Sequence, residues 1–428
     1  MQSLNNLYLK QNTPNTFQQY SYQTAYWCSL LFAFFIPIST ALMNLFLLLS
    51  LAFIILSGEL KNHLIISWKN PVSKVAILLF TLLFLGTFWS TAEGNDAYLT
   101  LKKYSELLYL GILLPLFQTE SKKKLGIDIF LVSMLTILIP TYLIYFGIMQ
   151  EFTTFTSDSY DANFTVDEGF KSHIITNILM SFVVFISATR AKLNIGNSRL
   201  RLVYILLFIL SAYYTIFIST GTTGTLLTYV LVTLFLFQHF KKKYIFYLLL
   251  SLLVLIVIMK TPNSENKDGT VNKLLNRLSS LNLNTSHRNT NHRPQLYINS
   301  IKMWMSDPIL GTGTGSYNAA FQTKRPVIYD ITKGSKRNPH NEYLLIAVQL
   351  GLTGVLLLLY LFYVQIVASK KINNNEVKYL SQGLVLLIVI GCLGNSLIMD
   401  SGEGHFWAFF SAVLFSKTNL ISNITFPK

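Results

Sequence analysis

Residues 341–367 read NEYLLIAVQLGLTGVLLLLYLFYVQIV, a run of 27 residues in which Glu342 is the only charged side chain. A helix of this length is roughly 40 Å long, which exceeds the ~30 Å apolar layer of a bilayer. Pro339 and His340 stand directly before the run, at the end of the longest polar stretch of the chain. This segment therefore predicts a membrane-spanning helix that starts at a polar surface.

Similar apolar runs recur along the chain. Of its 428 residues, 52% are hydrophobic and 12% are charged, and the mean hydropathy is +0.45. A water-soluble protein of this size needs more charge to cover its surface. We therefore predict an all-α polytopic membrane protein with about 12 transmembrane helices. The predicted spans lie near residues 22–39, 41–57, 74–91, 104–119, 126–148, 171–189, 202–218, 225–239, 244–260, 341–367, 379–397 and 405–416.

The basic residues are grouped between the apolar runs. Loops that face the cytoplasm carry such an excess of Lys and Arg, so topology explains the net charge of +15 better than nucleic-acid binding does. With the clusters placed inside, both termini are cytoplasmic and one large loop, residues 261–339, is periplasmic. The clusters are Lys122-Lys123-Lys124, Arg190 with Lys192, Arg199 with Arg201, Lys241-Lys242-Lys243, and Lys370-Lys371.

This large loop divides the chain into three parts. Residues 1–260 are predicted to hold a cytoplasmic tail and helices 1–9, and residues 340–428 to hold helices 10–12 and a short tail. Residues 1–20 lack the basic, apolar and small-residue layout of a cleaved signal peptide, so we expect the first apolar run to remain as an anchor. Cys28 and Cys392 both lie in apolar runs, which argues against zinc ligands or a disulfide.

The periplasmic loop is predicted to be partly helical. Residues 274–283 and 295–305 have helical spacing, and the second segment ends at Asp307-Pro308. The ribbon Gly311-Thr312-Gly313-Thr314-Gly315 follows. No strand precedes it and no Lys-Ser/Thr pair follows it, so we interpret it as a flexible turn rather than a phosphate-binding loop.

His340 is the strongest candidate for a chemical role. Asn338 and Pro339 before it form a good helix start, which predicts that His340 lies in the first turn. The positive end of the helix dipole there disfavours imidazolium, so the ring is expected to be neutral and able to accept a proton. On a regular helix Gly351 and Gly354 share a face with His340, and small residues let a neighbouring helix approach closely.

The pattern His340-Asn341, nine residues, Gly351, two residues, Gly354 resembles the signature of the O-antigen ligase and O-antigen polymerase superfamily, with the ligase branch favoured. Arg293 with Tyr297, and the turn from Asp307 to Gly315, resemble the arginine-led helix and Pro-x-x-Gly-x-Gly turn of that family. Its members are multi-pass enzymes of the bacterial inner membrane that act in lipopolysaccharide biosynthesis, with the active site facing the periplasm.

The resemblance implies a metal-independent glycosyltransferase that uses no cofactor. The donor is a glycan linked to undecaprenyl diphosphate, and the acceptor is lipid A-core, a growing glycan or a protein hydroxyl. His340 is expected to be the general base and Arg293 to bind the diphosphate, while Pro339, Gly351 and Gly354 are structural. Asn341 is expected to orient the donor or His340. Glu342 is either a partner inside the site or a solvated side chain.

One position departs from the family pattern. The turn before the eighth predicted span has Thr222 where members carry an arginine, and a threonine hydroxyl does not match a bidentate guanidinium contact to phosphate. Cations that are candidates to replace it are Arg288, Arg277, Lys324 and Arg325. Asp400 and Glu403, at the mouth of the last span, are candidates for acceptor recognition.

Three other functions compete with a lipid A-core ligase. An O-antigen polymerase and a protein O-oligosaccharyltransferase belong to the same superfamily and differ in the acceptor. A membrane transporter also fits about 12 spans. However, carriers tend to have two matched halves and charges near mid-span, and neither pattern is evident here.

Overall fold

The computed structural model describes residues 16–154, 163–240, 293–324 and 338–416. Five expectations lie outside these residues: the span near 244–260, the helix at 274–283, and the arginines at 277, 288 and 325. The side chain of Lys324 is also outside them. Within the described chain the regular secondary structure is helical apart from one short antiparallel strand pair, in which Phe152 is paired with Phe164.

Fifteen α-helices are numbered here in chain order within the described residues. The first eight are Thr16–Phe35 (α1), Thr40–Leu56 (α2), Leu60–Lys69 (α3), Pro71–Leu85 (α4), Asp96–Lys103 (α5), Glu106–Leu113 (α6), Glu120–Tyr145 (α7) and His173–Leu193 (α8). The others are Ser198–Tyr213 (α9), Thr222–His239 (α10), Arg293–Ser306 (α11), Tyr317–Lys324 (α12), Glu342–Lys370 (α13), Asn375–Gly391 (α14) and Ser401–Phe415 (α15). A 3₁₀ turn, Leu114–Phe117, follows α6, and a π turn, Tyr214–Ile218, extends α9.

Helices overlap the positions of the predicted spans, although the count of about 12 membrane-crossing helices is not established. One lies at every predicted position except 244–260, which is not among the described residues. Four are long and apolar enough to cross a membrane: α7, α8, α9 with its π turn, and α13. A fifth span results if α2 and α3, which meet at 111°, count as one. The sequence also predicted the loop helix that is now α11, to within two residues at its start.

Aromatic packing holds the centre of the bundle together. Every residue of α8 from Thr176 to Arg190 is buried, as is every residue of α15 from Gly402 onward. Phe410 of α15 meets Phe182 and Phe130 edge-to-face, with ring centroids 4.9 and 4.8 Å apart. Each such pair contributes ~1 kcal/mol beyond its buried area. Between membrane helices this close packing replaces the hydrophobic effect as the main attraction.

One end of the bundle collects the basic clusters that lie in the described residues, and we call it the basic end. Arg190 at the end of α8 is buried there between Asp128 and Glu376, with 2.6 Å from Nε to the Glu376 carboxylate. Asn374 donates to Glu120 at 2.7 Å, so the start of α7 and the start of α14 also meet at this end. Lys122-Lys123-Lys124 lie just after Glu120, near the start of α7.

The opposite end, called the site end, holds the glycine ribbon 311–315 and the segments 338–341 and 392–400. Here α13 is not a regular helix, because Gly351 has φ 62° and ψ −156° and breaks it. The prediction that His340, Gly351 and Gly354 share one continuous helical face is therefore wrong. A side chain at Gly351 would overlap the Ile309 carbonyl, so glycine is required by both conformation and space.

The glycine ribbon closes the break and is not a loose turn. A straight helix would join the amides of Leu352 and Thr353 to the carbonyls of Val348 and Gln349. Instead the two amides donate to Pro308 (2.8 Å) and Ile309 (3.3 Å), while the two carbonyls accept from the amides of residues 312 (2.9 Å) and 313 (2.8 Å). Because the ribbon amides donate to protein carbonyls, we assign the ribbon a structural role.

Candidate active site

His340 precedes the helix and does not lie in its first turn. Helix α13 begins at Glu342, and its cap is Asn341, whose Oδ1 accepts from the amide of Leu344 at 3.0 Å. The prediction that Asn338 caps the helix is wrong. Asn338 accepts instead from the His340 amide at 2.8 Å and from Ser396 Oγ at 2.8 Å. His340 is therefore outside the first helical turn, where the helix dipole was predicted to keep the ring neutral. Its position is set instead by the hydrogen bonds of Asn338.

The backbone of His340 is in the left-handed region, with φ +50°. A residue with a Cβ adopts this conformation at a cost of roughly 1 kcal/mol, and such residues are concentrated at functional sites. The bonds of Asn338 and Asn341 on either side hold the turn in place. The imidazole remains exposed at the site end.

The segment 392–400, between α14 and α15, forms the floor beneath this turn. The carbonyl of Leu393 accepts from Asn341 Nδ2 at 3.1 Å and from the Tyr297 hydroxyl at 2.9 Å. The next carbonyl, of Gly394, accepts from Arg293 Nη1 at 3.1 Å. Two consecutive carbonyls therefore bring the start of α11 and the start of α13 to one place, which unites Arg293, Asn341 and His340 as the sequence predicted.

The electrostatics of this cluster favour a neutral histidine. The pKa of His340 lies below its ordinary value because surrounding protein atoms displace part of the water from the ring, and secondly because the Arg293 guanidinium adds positive charge nearby. A lower pKa keeps the ring uncharged to a lower pH, which is the form that accepts a proton.

Replacing Arg293 with glutamine is expected to raise the pKa of His340, because the repelling charge is removed while the burial stays. If neutral His340 is required, the acid limb of the kcat/KM profile then moves to higher pH, in addition to any loss of rate. Measuring transfer between pH 4.5 and 8 tests this. Lys302→Gln, an exposed cation further along α11, should leave the limb unmoved; an unmoved limb in Arg293→Gln would contradict the coupling.

Glu342 is fully buried, so of its two interpretations the burial favours a partner inside the site over a solvated side chain. One carboxylate oxygen accepts from the Tyr104 hydroxyl at 2.6 Å, and the other accepts from the amides of Ile398 (3.0 Å) and Met399 (3.4 Å). Protein donors therefore surround this carboxylate. It fastens the floor segment to the start of α13, two residues from His340.

Tyr104→Phe removes a donor from this buried carboxylate, which is expected to cost about 1–3 kcal/mol of local stability. We expect faster hydrogen–deuterium exchange at the amides of Ile398 and Met399 and a lower transfer rate. Tyr145→Phe is the matched control, since that exposed hydroxyl bonds only to Tyr213 in the described structure at 2.9 Å. Unchanged exchange at residues 397–399 would contradict the fastening role.

Thr222 is the first residue of α10 and lies at the site end. The preceding turn is fixed by Asp167, whose carboxylate accepts from the Thr220 amide (2.8 Å) and hydroxyl (2.6 Å). The neighbouring Thr223 faces Gly394, since its Oγ1 lies 3.8 Å from the position of a Cβ on that glycine. The residue next to the position that departs from the family pattern is thus close to Gly394, whose carbonyl accepts from Arg293.

The acidic residues before the last helix differ in their surroundings. Asp400 caps the start of α15 by its backbone, and burial raises the pKa of its carboxyl to about 6, opposed by Lys103. Glu403 is 2% exposed, which places it inside the bundle rather than at an open mouth. Beside it the sequence reasoning missed a buried pair, in which His405 Nδ1 lies 2.8 Å from a Glu106 oxygen.

The partners of the site that sequence reasoning missed are polar side chains from distant segments. Tyr104 and Ser396 are the clearest, since each bonds a residue within two positions of His340. Tyr104 is 238 residues from its partner Glu342, so no local spacing indicates the contact. A tyrosine or glutamate at the end of a predicted span is a weak general signal for such contacts.

Comparison with known proteins adds a family to this geometry. A family model described as O-antigen ligase matches residues 205–359, a range that contains Thr222, Arg293, His340, Gly351 and Gly354. No curated protein matches the chain. Residues 205–359 therefore form a domain of the O-antigen ligase and O-antigen polymerase superfamily.

Proposed function

We propose that this protein is an O-antigen ligase, which transfers a polysaccharide from undecaprenyl diphosphate to lipid A-core. The observation that carries the proposal is the position of His340, exposed in a constrained turn with a lowered pKa and with Arg293 held next to it. The matched family model supports the reaction class. The acceptor is the part of the proposal that rests on the ligase-like sequence of the His340 segment.

In this mechanism neutral His340 acts as the general base. It takes the proton of the acceptor hydroxyl as that oxygen bonds to the anomeric carbon of the donor sugar. The bond from this carbon to the diphosphate oxygen breaks, and its electron pair leaves with undecaprenyl diphosphate. Arg293 stabilises the negative charge that develops on this leaving group. The protonated imidazole then returns its proton to solvent.

The residues around this pair have supporting roles in the proposal. Asn341 binds a carbonyl through Nδ2 and caps α13 through Oδ1, so we assign it to positioning His340. Thr222 begins α10, and the positive end of that helix dipole adds ~0.3–1 kcal/mol of attraction for an anion near the first turn. Arg288 remains the proposed second cation for the diphosphate. No step is assigned to a metal ion.

The proposal places the protein in the bacterial inner membrane with the site facing the periplasm. The charge distribution supports this orientation, since basic clusters gather at one end of the bundle and the site lies at the other. About 12 spans and a large periplasmic loop at residues 261–339 complete this topology. A long polar segment next to the site is consistent with binding of a large hydrophilic glycan.

A lipopolysaccharide gel from a deletion strain tests the function and separates the related activities. We expect the strain to lose all long-chain bands while its core remains, and the wild-type gene to restore them. A single-repeat band would identify a polymerase instead. Unchanged lipopolysaccharide with lost protein glycosylation would identify a protein O-oligosaccharyltransferase. Either the single-repeat band or the loss of protein glycosylation would overturn the ligase assignment.

A further inference from the structure

Helix α3 lies at the basic end and runs across it. It meets α2 at 111° after a turn at Gly58, and Asn70 then starts α4. Asn70 Nδ2 donates to the carbonyl of Phe415, the last residue of α15, at 2.8 Å. A helix that turns this sharply between two apolar helices lies close to the plane of the membrane surface.

The two faces of α3 differ in what covers them. His63, Ile66 and Ser67 are buried against the bundle, and Ser67 donates to the carbonyl of Gly111 at 2.5 Å. The opposite face exposes Leu64 by 59% and Trp68 by 49%. Apolar side chains of this size, presented at a membrane surface, are typical of an interfacial helix.

Together with Leu60, Lys61, Ile65 and Lys69, these exposed residues line a shallow groove of about 460 Å³. Lys61 and Lys69 are eight residues apart, which puts a cation near each end of the apolar strip. The Lys74 ammonium adds a third positive charge, 5.2 Å from the centre of the Trp68 ring. The groove therefore combines an apolar floor with cations along its length.

Charge complementarity favours an anionic phospholipid over a second copy of the chain as the occupant of this groove. The carboxylate on this segment, Glu59, accepts from Asn62 Nδ2 at 2.7 Å, so it is engaged within the helix start. A second copy of the chain docked face to face would bring lysines against lysines. A phospholipid with an anionic headgroup supplies both an apolar tail for the strip and a negative charge for the cations.

We propose that α3 is a binding site for an anionic phospholipid of the cytoplasmic leaflet. The acyl chain lies along Leu64, Ile65 and Trp68, and the headgroup phosphate contacts Lys61 or Lys69. The proposal is independent of glycosyl transfer, because this face is at the opposite end of the bundle from His340. Trp68 marks the depth at which the tail meets the headgroup.

Native mass spectrometry of the delipidated full-length protein measures this directly. Phosphatidylglycerol is titrated against phosphatidylcholine, and we expect preferential retention of the anionic lipid. A lysine near an anionic surface contributes ~1 kcal/mol, or about fivefold in affinity. The double variant Lys61→Gln/Lys69→Gln is therefore expected to bind phosphatidylglycerol roughly tenfold to thirtyfold more weakly. Binding of phosphatidylcholine should stay the same.

The matched control is Lys370→Gln/Lys371→Gln, which removes the same charge at the same end of the bundle. We expect it to retain phosphatidylglycerol like the wild type. A Trp68→Ala variant should weaken both lipids, since it shortens the apolar strip. Equal retention of the two lipids by the wild type, or an equal loss in both double variants, would overturn the proposal. A dimer that dissociates in Trp68→Ala would also overturn it and identify a protein interface.

Discussion

Replacing His340 with alanine is expected to lower the rate of glycan transfer by about 10²–10⁴-fold, the usual contribution of a general base. The imidazole is exposed at the site end and makes no structural bond through its ring among the described contacts, so the fold should survive. Transfer measured with the purified variant, together with its thermal melting, separates lost chemistry from lost structure.

The control for this variant is His239→Ala, at the basic end of α10. His239 contacts the carbonyl of Phe235 at 2.9 Å, and its ring packs against Tyr379 at an angle of 60°, at the end of the bundle opposite the site. Its activity should stay within about twofold of the wild type. Full activity in His340→Ala would remove the proposed base, whereas inactivity in both variants would point to a general loss of folding.

Gly351→Ala is expected to have a similarly large effect through structure instead of chemistry. Its φ of 62° with ψ of −156° lies in a region that is essentially confined to glycine, and a Cβ there would overlap the Ile309 carbonyl. We expect a destabilisation of about 3 kcal/mol or more, because strain and overlap add. The backbone hydrogen bonds between α13 and residues 308–313 are then lost, and we expect transfer activity to fall with them.

Gly94→Ala separates these two contributions. Gly94 also has a positive φ, 54°, but an added Cβ meets nothing within 4 Å. This variant therefore carries conformational strain alone and should cost about 1 kcal/mol. If Gly351→Ala melts at the same temperature as Gly94→Ala, the tight fit of the glycine ribbon into the break in α13 is not important for stability.

The positions of the long helices were largely predictable from the sequence. Runs such as residues 126–148 contain enough apolar residues to identify a helix by length alone, and the structure has α7 there. Helix α3 was not predicted, because ten residues that mix Lys61, Asn62 and His63 with leucine and isoleucine resemble a polar loop. Its existence depends on burial against α6, which no local pattern shows.

The candidate site was predicted in part. The spacing of His340, Asn341, Gly351 and Gly354 selected a segment that the structure holds in a constrained turn, and Arg293 lies close to His340 there. The helix start was misplaced by about three residues, because Asn338 and Asn341 are both suitable caps and only tertiary contacts with Leu393 and Ser396 decide between them.

The break in α13 could not be predicted from the local sequence, because it also depends on contacts with a distant segment. A glycine inside an apolar run is tolerated in a regular membrane helix, so Gly351 by itself does not indicate a break. The break is stabilised by the ribbon at residues 311–315, which lies almost 40 residues earlier and offers the amides that satisfy Val348 and Gln349.

The central claim is tested most directly by one transfer assay with the purified protein in lipid nanodiscs. Undecaprenyl-diphosphate-linked glycan and lipid A-core are supplied with EDTA, and the product is resolved on a gel. We predict that the wild type forms long-chain product and releases undecaprenyl diphosphate, while His340→Ala forms about 10²-fold less or lower still. Equal product from the two proteins, or no product from a folded wild type, would contradict the account.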